Sequence, residues 1–516
     1  MQKFKSLWLE PGLGGFSAAW SFGFGVFLSA LSLLAADAPF RAGFAERDIT
    51  PDIGMEMPGN YGKVYGRSVH DPCKVRAAVF DDGTNRVALV GVDALMIRRD
   101  SVLRTRRQIQ ERCGLAPEHV MIGASHSHSS GPSGMILPGE FDHASPFVQQ
   151  LAYEKSSTAD PGYLRRFEQA IVEAVCLAND FRTDARLSFG SGREDKVSFV
   201  RRVRMKNGRT FTHPGRGNPD SVEYAAPIDP EVGVIGAWDK NDKLLGVLVN
   251  FSCHATTSPP GFSANWIYYL EKTIRGGLDA QVPVVFLQGA CGDITQVDNL
   301  SPYADPSGDK QAQRVGGSVG AEAIKVLLRN APGYGGPLAA RSKVWKLKRR
   351  VPDPERVKRC LALAHKSEKE VGHTEWIFAK EIVLLDAMIA KSPEEEVEVQ
   401  AIQVGPAVFL SNPAEYFVEF GLAIKRRSNF TFTWIVELAN GCVGYVPTEE
   451  ALSATGGGYE TRLTSYSNLD PSAGRQFADM GLELAKQMTP GAIPEPPKAA
   501  PFTAPWSYGN VPAELR

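Results

Sequence analysis

Short apolar runs that each end in a polar cluster constrain the fold of this chain more than any other feature. Six of these runs are rich in β-branched or aromatic residues and have the length of buried strands. They cover residues 86–93 (RVALVGVD), 119–124 (HVMIGA), 245–251 (LGVLVNF), 282–287 (VPVVFL), 408–410 (VFL) and 432–436 (FTWIV). Helical patterns lie between them at residues 101–113, 163–179 and 310–330, and Gly114 follows the first of these. The alternation predicts an α/β fold, with mixed β-sheets flanked by helices.

Reactive side chains are concentrated in the polar clusters that follow these runs. His126 and His128 come directly after residues 119–124, and His254 follows residues 245–251, although the chain has only nine histidines. Functional sites in α/β sheets collect beyond the carboxyl ends of strands. We therefore expect the active site at these strand ends, with the clusters sharing one crevice.

The chain of 516 residues shows no internal repeat and no firm domain boundary between residues 39 and 489. We predict one catalytic domain over residues 39–489, followed by a Pro-rich, extended tail over residues 490–516. Residues 354–392 are charged, with apolar residues at near-helical spacing, which predicts one or two surface helices. Because 57 Lys and Arg residues balance 58 Asp and Glu residues, the composition gives no indication of nucleic-acid binding.

A signal peptide is predicted over residues 1–38. Lys3 and Lys5 precede an apolar run over residues 16–36, and Ala-Asp-Ala at residues 36–38 resembles a small-residue cleavage site. This pattern predicts a secreted or periplasmic protein. The alternative is an uncleaved membrane anchor, because the apolar run approaches the roughly 20 residues that a membrane span needs.

The seven cysteines are an odd number, so at least one thiol has no partner within the chain. Their spacing forms neither a disulfide framework nor a CxxC zinc pair. Cys253, Cys291 and Cys442 lie near the predicted site, where a thiolate could bind a metal. The alternative is that they pack as small apolar residues, as most buried cysteines do.

Histidines after strands suit a hydrolytic zinc site, which needs a few nitrogen or oxygen ligands and one position open to water. His126 and His128 form an HxH motif, and the glycine- and serine-rich residues 129–134 favour a tight loop there. From these residues alone, a hydrogen-bonded structural pair is the alternative to metal binding. A lone His254 is more often a packed core residue than a ligand.

Five segments resemble motifs of the neutral/alkaline ceramidases, in the order of that family. The first, residues 124–132 (ASHSHSSGP), contains the HxH motif, and the second, residues 250–256 (NFSCHAT), contains His254. The other three are residues 286–295 (FLQGACGDIT), 413–420 (PAEYFVEF) and 444–448 (GYVPT). The similarity extends over roughly residues 40–485, nearly all of the chain after the predicted signal peptide.

The resemblance implies a zinc ion and two groups of site residues. The implied metal ligands are His126, His254, Glu415 and Tyr445. The residues with implied catalytic roles are His128, Arg201, Tyr459 and Thr295.

In the implied mechanism, zinc lowers the pKa of its bound water toward about 7, and the resulting hydroxide attacks the amide carbonyl. His128 would hydrogen-bond the scissile carbonyl or the water, and His128 or a neighbouring acid would protonate the leaving amine. Tyr459 would stabilise the oxyanion. Arg201 would face the bound substrate, with the adjacent Arg202 as the alternative register.

Without the resemblance, several of these residues have other interpretations. Glu415 would be an acid that complements a helix N-terminus, Tyr445 a strand aromatic, and Arg201 an exposed residue on a strand edge. We expect Asp93 and Asp293 to orient loops and ligands rather than to react.

Several departures from the ceramidase pattern bear on the substrate. Thr295 stands where the family has serine, and Val200 replaces an expected polar residue. The segment between Glu415 and Tyr445 is short for the family. Ceramidases continue into a C-terminal β-sandwich of roughly 100 residues, for which too few residues follow Tyr445. We expect such a chain to take a shorter or more polar substrate.

We therefore expect an exported, zinc-dependent amidohydrolase that cleaves the amide of an N-acyl lipid or a related small molecule, in sphingolipid or other lipid metabolism. A lipid substrate would imply peripheral contact with membrane lipid, and no protein partner is predicted. Two alternatives stay open. One is a zinc esterase or other hydrolase, because ester and amide hydrolysis need the same groups. The other is a non-catalytic exported binding protein with a degenerate site, which the Thr295 and Val200 departures keep open, although the presence of all four ligand types argues against it.

Overall fold

The predicted alternation of strands and helices is present in the computed structural model, which describes residues 40–509 and 511–516. The strands of these residues, in chain order, are β1 Arg41–Asp48, β2 Lys74–Asp81, β3 Arg86–Val92, β4 Val120–Ala124, β5 Thr183–Asp184, β6 Arg186–Arg193, β7 Phe199–Val200, β8 Arg202–Met205, β9 Thr210–Thr212, β10 Ser221–Tyr224, β11 Glu231–Trp238, β12 Leu244–Phe251, β13 Val284–Gln288, β14 Ile294–Thr295, β15 Leu338–Lys348, β16 Glu394–Val404, β17 Ala407–Ser411, β18 Glu415–Tyr416, β19 Phe432–Val436 and β20 Tyr445–Val446.

Several helices begin or end at residues with capping chemistry. Gly114 adopts a left-handed φ of 69° after the first helix, as predicted. The Asp160 side chain accepts a hydrogen bond from the Tyr163 N–H at the start of the third helix. The helices of the described residues are α1 Arg99–Cys113, α2 Pro146–Tyr153, α3 Pro161–Asp180, α4 Trp266–Gly277, α5 Asp309–Arg329, α6 Pro354–Ala364, α7 Glu368–Val371, α8 His373–Lys391, α9 Val418–Arg427 and α10 Ala473–Lys486.

Three larger sheets make up most of the β-structure. Their strand orders are β4-β3-β2-β1-β5, β13-β12-β11-β6 and β15-β16-β17-β19. Each sheet contains one parallel pair, β3 with β4, β12 with β13, and β17 with β19, and its other neighbours are antiparallel. The prediction of mixed sheets flanked by helices is therefore confirmed.

The three sheets bury one face each in a shared apolar core. Phe80 of the first sheet, Phe189 of the second, and Phe409 and Trp434 of the third all belong to this core. The opposite faces are covered by helices. α1 and α3 pack on the first sheet, α4 and α5 on the second, and α9 and α10 on the third. This layering fixes the positions of the strand ends from which the site is built.

A glycine allows the first and second sheets to approach closely below the site. Gly91 of β3 faces Phe286 of β13, and a Cβ atom at residue 91 would lie 2.2 Å from the Phe286 carbonyl oxygen. That distance is far inside van der Waals contact, so no other residue fits there without movement of the backbone.

The segment over residues 354–392 corrects one prediction. It forms three helices rather than one or two, and α8 is not a surface helix, because Trp376, Leu384 and their neighbours are buried. These side chains pack with Leu151 of α2 in a separate apolar cluster. The remaining predicted strands and helices agree with the structure to within about two residues.

The two chain ends bear on the other domain predictions. The predicted signal peptide lies outside the described residues. In the predicted tail, residues 495–509 and 511–516 are exposed and form neither helix nor strand.

Among the helices that the structure describes, none combines the length and the apolar character needed to cross a membrane.

Candidate metal centre

The carboxyl ends of the three parallel pairs bring the predicted ligands together. His126 follows β4, and His254 follows β12. Glu415 lies in β18, just after β17, and β18 pairs in parallel with β20, where Glu415 is opposite Tyr445. The polar clusters that follow separate strands in the sequence thus meet in one crevice.

His126 sits in a tight loop, as the flanking residues predict. Its φ of 61° is in the left-handed region, which is unusual for a residue with a side chain. The Ser127 N–H donates to the Ala94 carbonyl at 3.1 Å, and the Ser127 hydroxyl donates to the Ser263 carbonyl at 2.8 Å. These bonds hold the loop in its strained conformation, so the imidazole direction is fixed before any ligand binds.

Backbone carbonyls select the same tautomer in both ligand histidines. His126 Nδ1 lies 2.9 Å from the Leu95 carbonyl, and His254 Nδ1 lies 2.7 Å from the Cys291 carbonyl. Because a carbonyl only accepts, each Nδ1 carries a hydrogen, and each Nε2 is the nitrogen that can bind a metal when it carries no proton. That is the arrangement of a metal-binding imidazole.

The Glu415 carboxylate faces both Nε2 atoms. Its Oε2 atom is 3.3 Å from His126 Nε2 and 3.1 Å from His254 Nε2, and all three side chains are buried. Two imidazole nitrogens and one carboxylate oxygen that converge in this way are suitable ligands for a borderline cation such as zinc. The donor set therefore fits the metal that the motifs predict.

The pKa shifts of these groups follow from the same proximity. Burial alone would lower the pKa of His126, but the Glu415 carboxylate outweighs it and raises that pKa. Burial alone would raise the pKa of Glu415, but His126 and His254 hold it well below its usual range. Burial and then the Arg201 charge lower the pKa of His254 to about 4. The pocket therefore keeps a carboxylate and at least one neutral imidazole at neutral pH.

His128 is the third imidazole of the cluster. Its Nε2 atom lies 3.1 Å from His126 Nε2, and one nitrogen from each of His126, His128 and His254 falls within a 4.8 Å group. Burial, followed by the two neighbouring imidazoles, lowers the pKa of His128 well below its usual value. The three imidazoles could together hold a metal ion, and His128 is uncharged at neutral pH.

Arg201, rather than Arg202, faces the site. Its Nη1 atom is 3.4 Å from His254 Nε2, and its guanidinium lies 5.3 Å from the centre of the Tyr445 ring. The Glu460 carboxylate accepts from Nε at 2.6 Å, and the Gly292 carbonyl accepts from Nη2 at 2.7 Å. Arg201 is 7% exposed, so it is not the strand-edge residue of the alternative interpretation.

The predicted tyrosines line the cavity that holds these groups. This cavity has a volume of about 20 Å³, and its walls include His126, His128, Glu415, Tyr445 and Tyr459. The Tyr445 and Tyr459 rings are 5.5 Å apart and meet edge to face. Burial, followed by the Glu415 charge, raises the pKa of Tyr459 to about 12, so its phenol keeps its proton.

Thr295 does not reach this cavity in the part of the chain that the structure describes. It is buried in β14, which pairs with β7, the strand just before Arg201. Val200, the other departure, is opposite Ile294 in the same small sheet and packs in an apolar cluster with Cys291. Both residues thus support the backbone that carries Arg201.

Three acidic side chains support the loops and strands around the predicted ligands. Asp93 accepts from Arg76 at 2.7 Å, and Asp293 accepts from the Val418 N–H at 2.9 Å. Glu437 Oε2 accepts from the N–H groups of Cys291 and Tyr416, at 2.8 Å each. Glu437 therefore joins the loop behind His254 to the strand that carries Glu415.

Three residues of this site were not predicted from the sequence. Tyr466 donates its hydroxyl to Glu415 Oε1 at 2.7 Å, and Glu460 anchors Arg201. Tyr61 lies 6.4 Å from the Tyr459 ring on a segment that covers the pocket. In the same segment, a Cβ atom at Gly59 would lie 2.4 Å from His128 Nδ1. The loops that hold these residues have no periodic pattern, so only their tyrosine content offered a signal.

Comparison with known proteins gives results at the level of both sequence and structure. No protein-family model matches the chain. The neutral ceramidase of Pseudomonas aeruginosa is 25% identical over 297 residues, which make up 54% of this chain and 40% of that protein. The match thus spans less than half of the relative's length.

Solved structures match over a larger share. The crystal structure of neutral ceramidase from Pseudomonas aeruginosa superposes with a TM-score of 0.66 at 21% identity, over 89% of this chain and 77% of that chain. A ceramidase complexed with C2 superposes with a TM-score of 0.63 at 19% identity, over 89% of this chain and 78% of that chain. These matches confirm the resemblance that the motifs predict, and they show that the two folds are alike.

Proposed function

We propose that this chain, which shares the fold of neutral ceramidase, is an exported, zinc-dependent amidohydrolase that cleaves an N-acyl lipid or a related amide. One observation carries the proposal. His126 Nε2 and His254 Nε2 lie 3.3 and 3.1 Å from the same Glu415 oxygen, beside a cavity that is also lined by His128 and four tyrosines. Such a set combines metal ligands, a base and hydrogen-bond donors in one pocket.

Zinc would be held by His126, His254 and Glu415, with Tyr445 beside them as the fourth ligand. When bound, it supplies a Lewis acid and activates water near neutral pH. The carbonyls of Leu95 and Cys291 keep the two imidazoles in the ligating tautomer.

His128 moves the proton. Because it is uncharged at pH 7, it accepts a proton from the attacking water through the free lone pair of its ring. Its lowered pKa then makes the protonated imidazole a good donor, and it delivers the proton to the leaving amine. Gly59 packs against this ring, which holds it in place for both transfers.

Tyr459 and Arg201 stabilise the negative charge that develops on the carbonyl oxygen. The Tyr459 phenol remains protonated and donates a hydrogen bond, which is worth about 3 kcal/mol of barrier in comparable sites. Arg201 supplies a fixed positive charge, since Glu460 and the Gly292 carbonyl hold its guanidinium. Tyr61 packs near Tyr459 and limits the access of bulk water.

Export and lipid contact are parts of the same proposal. Export rests on the charged and apolar pattern of residues 1–38. An N-acyl lipid substrate would require the mouth of the pocket to meet membrane lipid, and the partly exposed Tyr459 lies at that mouth. Residues 39–489 would form the catalytic domain.

The first experiment measures zinc per chain in purified protein by elemental analysis. We expect about one zinc in the wild type and in His373→Ala, because His373 is an exposed histidine paired with Glu368. His254→Ala and Glu415→Ala should lose the metal and the activity together while staying folded. A wild type that binds no zinc when zinc is supplied would contradict the proposal.

A substrate panel then separates the remaining alternatives. Matched amides and esters, beginning with ceramides, distinguish an amidohydrolase from an esterase. A zinc-loaded protein that cleaves neither class would favour the non-catalytic binding protein.

A further inference from the structure

A polar chamber adjoins the cavity of the metal centre. It has a volume of about 60 Å³ and shares Tyr61, Met135 and Tyr466 with that cavity as common walls. Besides the two tyrosines, its polar lining, which defines the chamber here, consists of Arg98, Glu140, Ser156, Ser157, Arg349, Glu381, Glu395 and Ser465. The proposed reaction uses none of these eight side chains.

The charges in the polar chamber cancel in pairs. Arg98 Nη2 lies 2.7 Å from Glu140 Oε1, and Arg349 is paired with Glu395. The third carboxylate, Glu381, lies 3.0 Å from Lys380 Nζ. A charged ligand group would therefore enter without a free counter-ion. The chamber is suited to an uncharged group.

The same side chains keep hydrogen-bonding capacity. Arg98 uses one N–H for the Met135 carbonyl at 2.7 Å and another for Glu140, and a guanidinium has five N–H donors. Glu395 accepts from Arg349 through Oε2, which leaves Oε1 as an acceptor among the described residues. Donors and acceptors therefore face one small space, and a hydroxyl group can satisfy both because it donates and accepts.

An alkyl chain would be a poor occupant of the polar chamber. Each polar group that a methylene covers loses its water and gains no partner, and this costs more than the burial of that methylene contributes. The chamber also continues outward. A larger cavity of about 190 Å³ shares Arg98, Arg349 and Met388 with it. A group of several hydroxylated carbons therefore has room to extend away from the metal centre.

We propose that the polar chamber binds an uncharged, hydroxylated substituent of the amide substrate, on one side of the scissile bond. The inference rests on the proposed hydrolase function and narrows its substrate class. The substrate would then carry a polyol-like group on one side of its amide.

The test compares kcat/KM of the zinc-loaded wild type for three amides. N-octanoylglucamine carries a polyol on the amine side, N-octylgluconamide carries one on the acyl side, and N-octyloctanamide carries alkyl chains on both. We expect one of the two polyol amides to exceed the dialkyl amide by at least about 10-fold. Equal or faster cleavage of the dialkyl amide would overturn the inference but leave the hydrolase function intact. If no amide is cleaved, ceramides included, the hydrolase function itself fails.

A pair of variants locates the selectivity in the chamber. Glu395→Leu removes the acceptor and should lower kcat/KM for the preferred polyol amide about 10-fold, with the dialkyl amide unchanged. Glu395→Gln keeps an acceptor oxygen and should stay within about 3-fold of the wild type. Zinc content and circular dichroism check that both variants are folded. Unchanged selectivity in a folded Glu395→Leu protein would overturn the assignment, and if that variant does not fold, the wild-type ranking decides.

Discussion

Tyr466 fixes the second oxygen of the carboxylate that faces both ligand histidines. Its hydroxyl donates to Glu415 Oε1, which leaves Oε2 directed at the two imidazoles. A hydrogen bond of this kind orients a ligand without touching the metal. The affinity of the site for zinc should therefore depend on Tyr466.

Tyr466→Phe should lower zinc affinity by about 10-fold, because the carboxylate loses its orienting donor. Competition with a chromogenic chelator measures the change. Tyr153→Phe is the matched control, since the Tyr153 phenol donates to Asp142 at the same distance of 2.7 Å but away from the site. An affinity equal to that of the wild type would remove Tyr466 from the support of the ligands.

Tyr459→Phe should separate binding from turnover. We expect the variant to keep its zinc and to lose about 100-fold in kcat, because the donor to the oxyanion is absent while the ring remains. Steady-state kinetics on the best amide gives kcat and KM separately. Tyr65→Phe is the control, because Tyr65 is exposed and follows Tyr61 by four residues, and it should leave kcat unchanged. If the Tyr459→Phe protein had the kcat of the wild type, the Tyr459 hydroxyl would be excluded from the mechanism.

The sequence predicted the histidines of this site better than their neighbours. His126 and His254 stand directly after apolar strands, where a polar side chain has to face the open edge of a sheet. Tyr466 and Glu460 come from irregular loops, in which neither period nor spacing constrains the direction of a side chain. Arg201 could be placed only to within one residue, because the two adjacent arginines are both buried.

At the scale of elements, a buried ion network ties the first sheet to helix α4. Glu271 of α4 contacts Arg76 of β2 at 2.6 Å and Lys74 of the same strand at 2.8 Å. Arg76 also pairs with Asp93, just beyond β3. The network thus connects the layer below His126 with the helix layer beside His254.

The pKa of Glu271 sets the pH range over which this network stabilises the fold. Burial alone would raise that pKa, but Arg76 and Lys74 outweigh it and lower it to about 2 from a usual 4.5. A carboxyl group with a lowered pKa contributes stability above its unfolded value and loses it as the pH falls toward its folded value. The contribution should therefore fade between about pH 4.5 and pH 2.

Glu271→Gln should lower the free energy of unfolding by about 3 kcal/mol at pH 7, and the difference from the wild type should shrink at pH 3. Urea denaturation of the metal-free proteins at both pH values measures it. In Asp479→Asn, which breaks a half-exposed pair with Arg427, the loss should be below about 1 kcal/mol. A pH-independent difference for Glu271→Gln would show that packing, not charge, explains the effect.

Elements were predictable where their periodicity is local, and less so where burial depends on distant partners. The strand over Phe432–Val436 has the bounds that its apolar run predicts. Helix α8 was misread as a surface helix because its buried face packs against α2, more than 200 positions earlier in the chain. Charged residues such as Lys380 and Glu381 mask that face in the sequence, although they pair with each other inside it.

At the scale of the whole molecule, several apolar cores surround the site and are independent of any metal. The shared core of the three sheets and the three cores beneath the helices consist of aliphatic and aromatic side chains. The protein should therefore fold without zinc and gain stability from it by mass action.

Removal of the metal with a chelator should leave the far-ultraviolet circular dichroism unchanged. Restoring zinc at about a thousandfold excess over its Kd should stabilise the fold by about 4 kcal/mol, which thermal unfolding would record as a rise in Tm. His254→Ala should show no such rise. An unfolded metal-free wild type would mean that zinc is part of the core rather than an addition to it.

The close approach at Gly91 gives this residue an influence on chemistry that it never touches. The loop of His126 follows β4, which pairs with β3, and the loop of His254 follows β12, which pairs with β13. The distance between β3 and β13 therefore sets the distance between the two imidazoles. Metal–nitrogen bonds tolerate errors of only about 0.2 Å. A methyl group at residue 91 would clash with the Phe286 backbone and push the first and second sheets apart. The ion that the proposed site would select should thus depend on the absence of a side chain at residue 91.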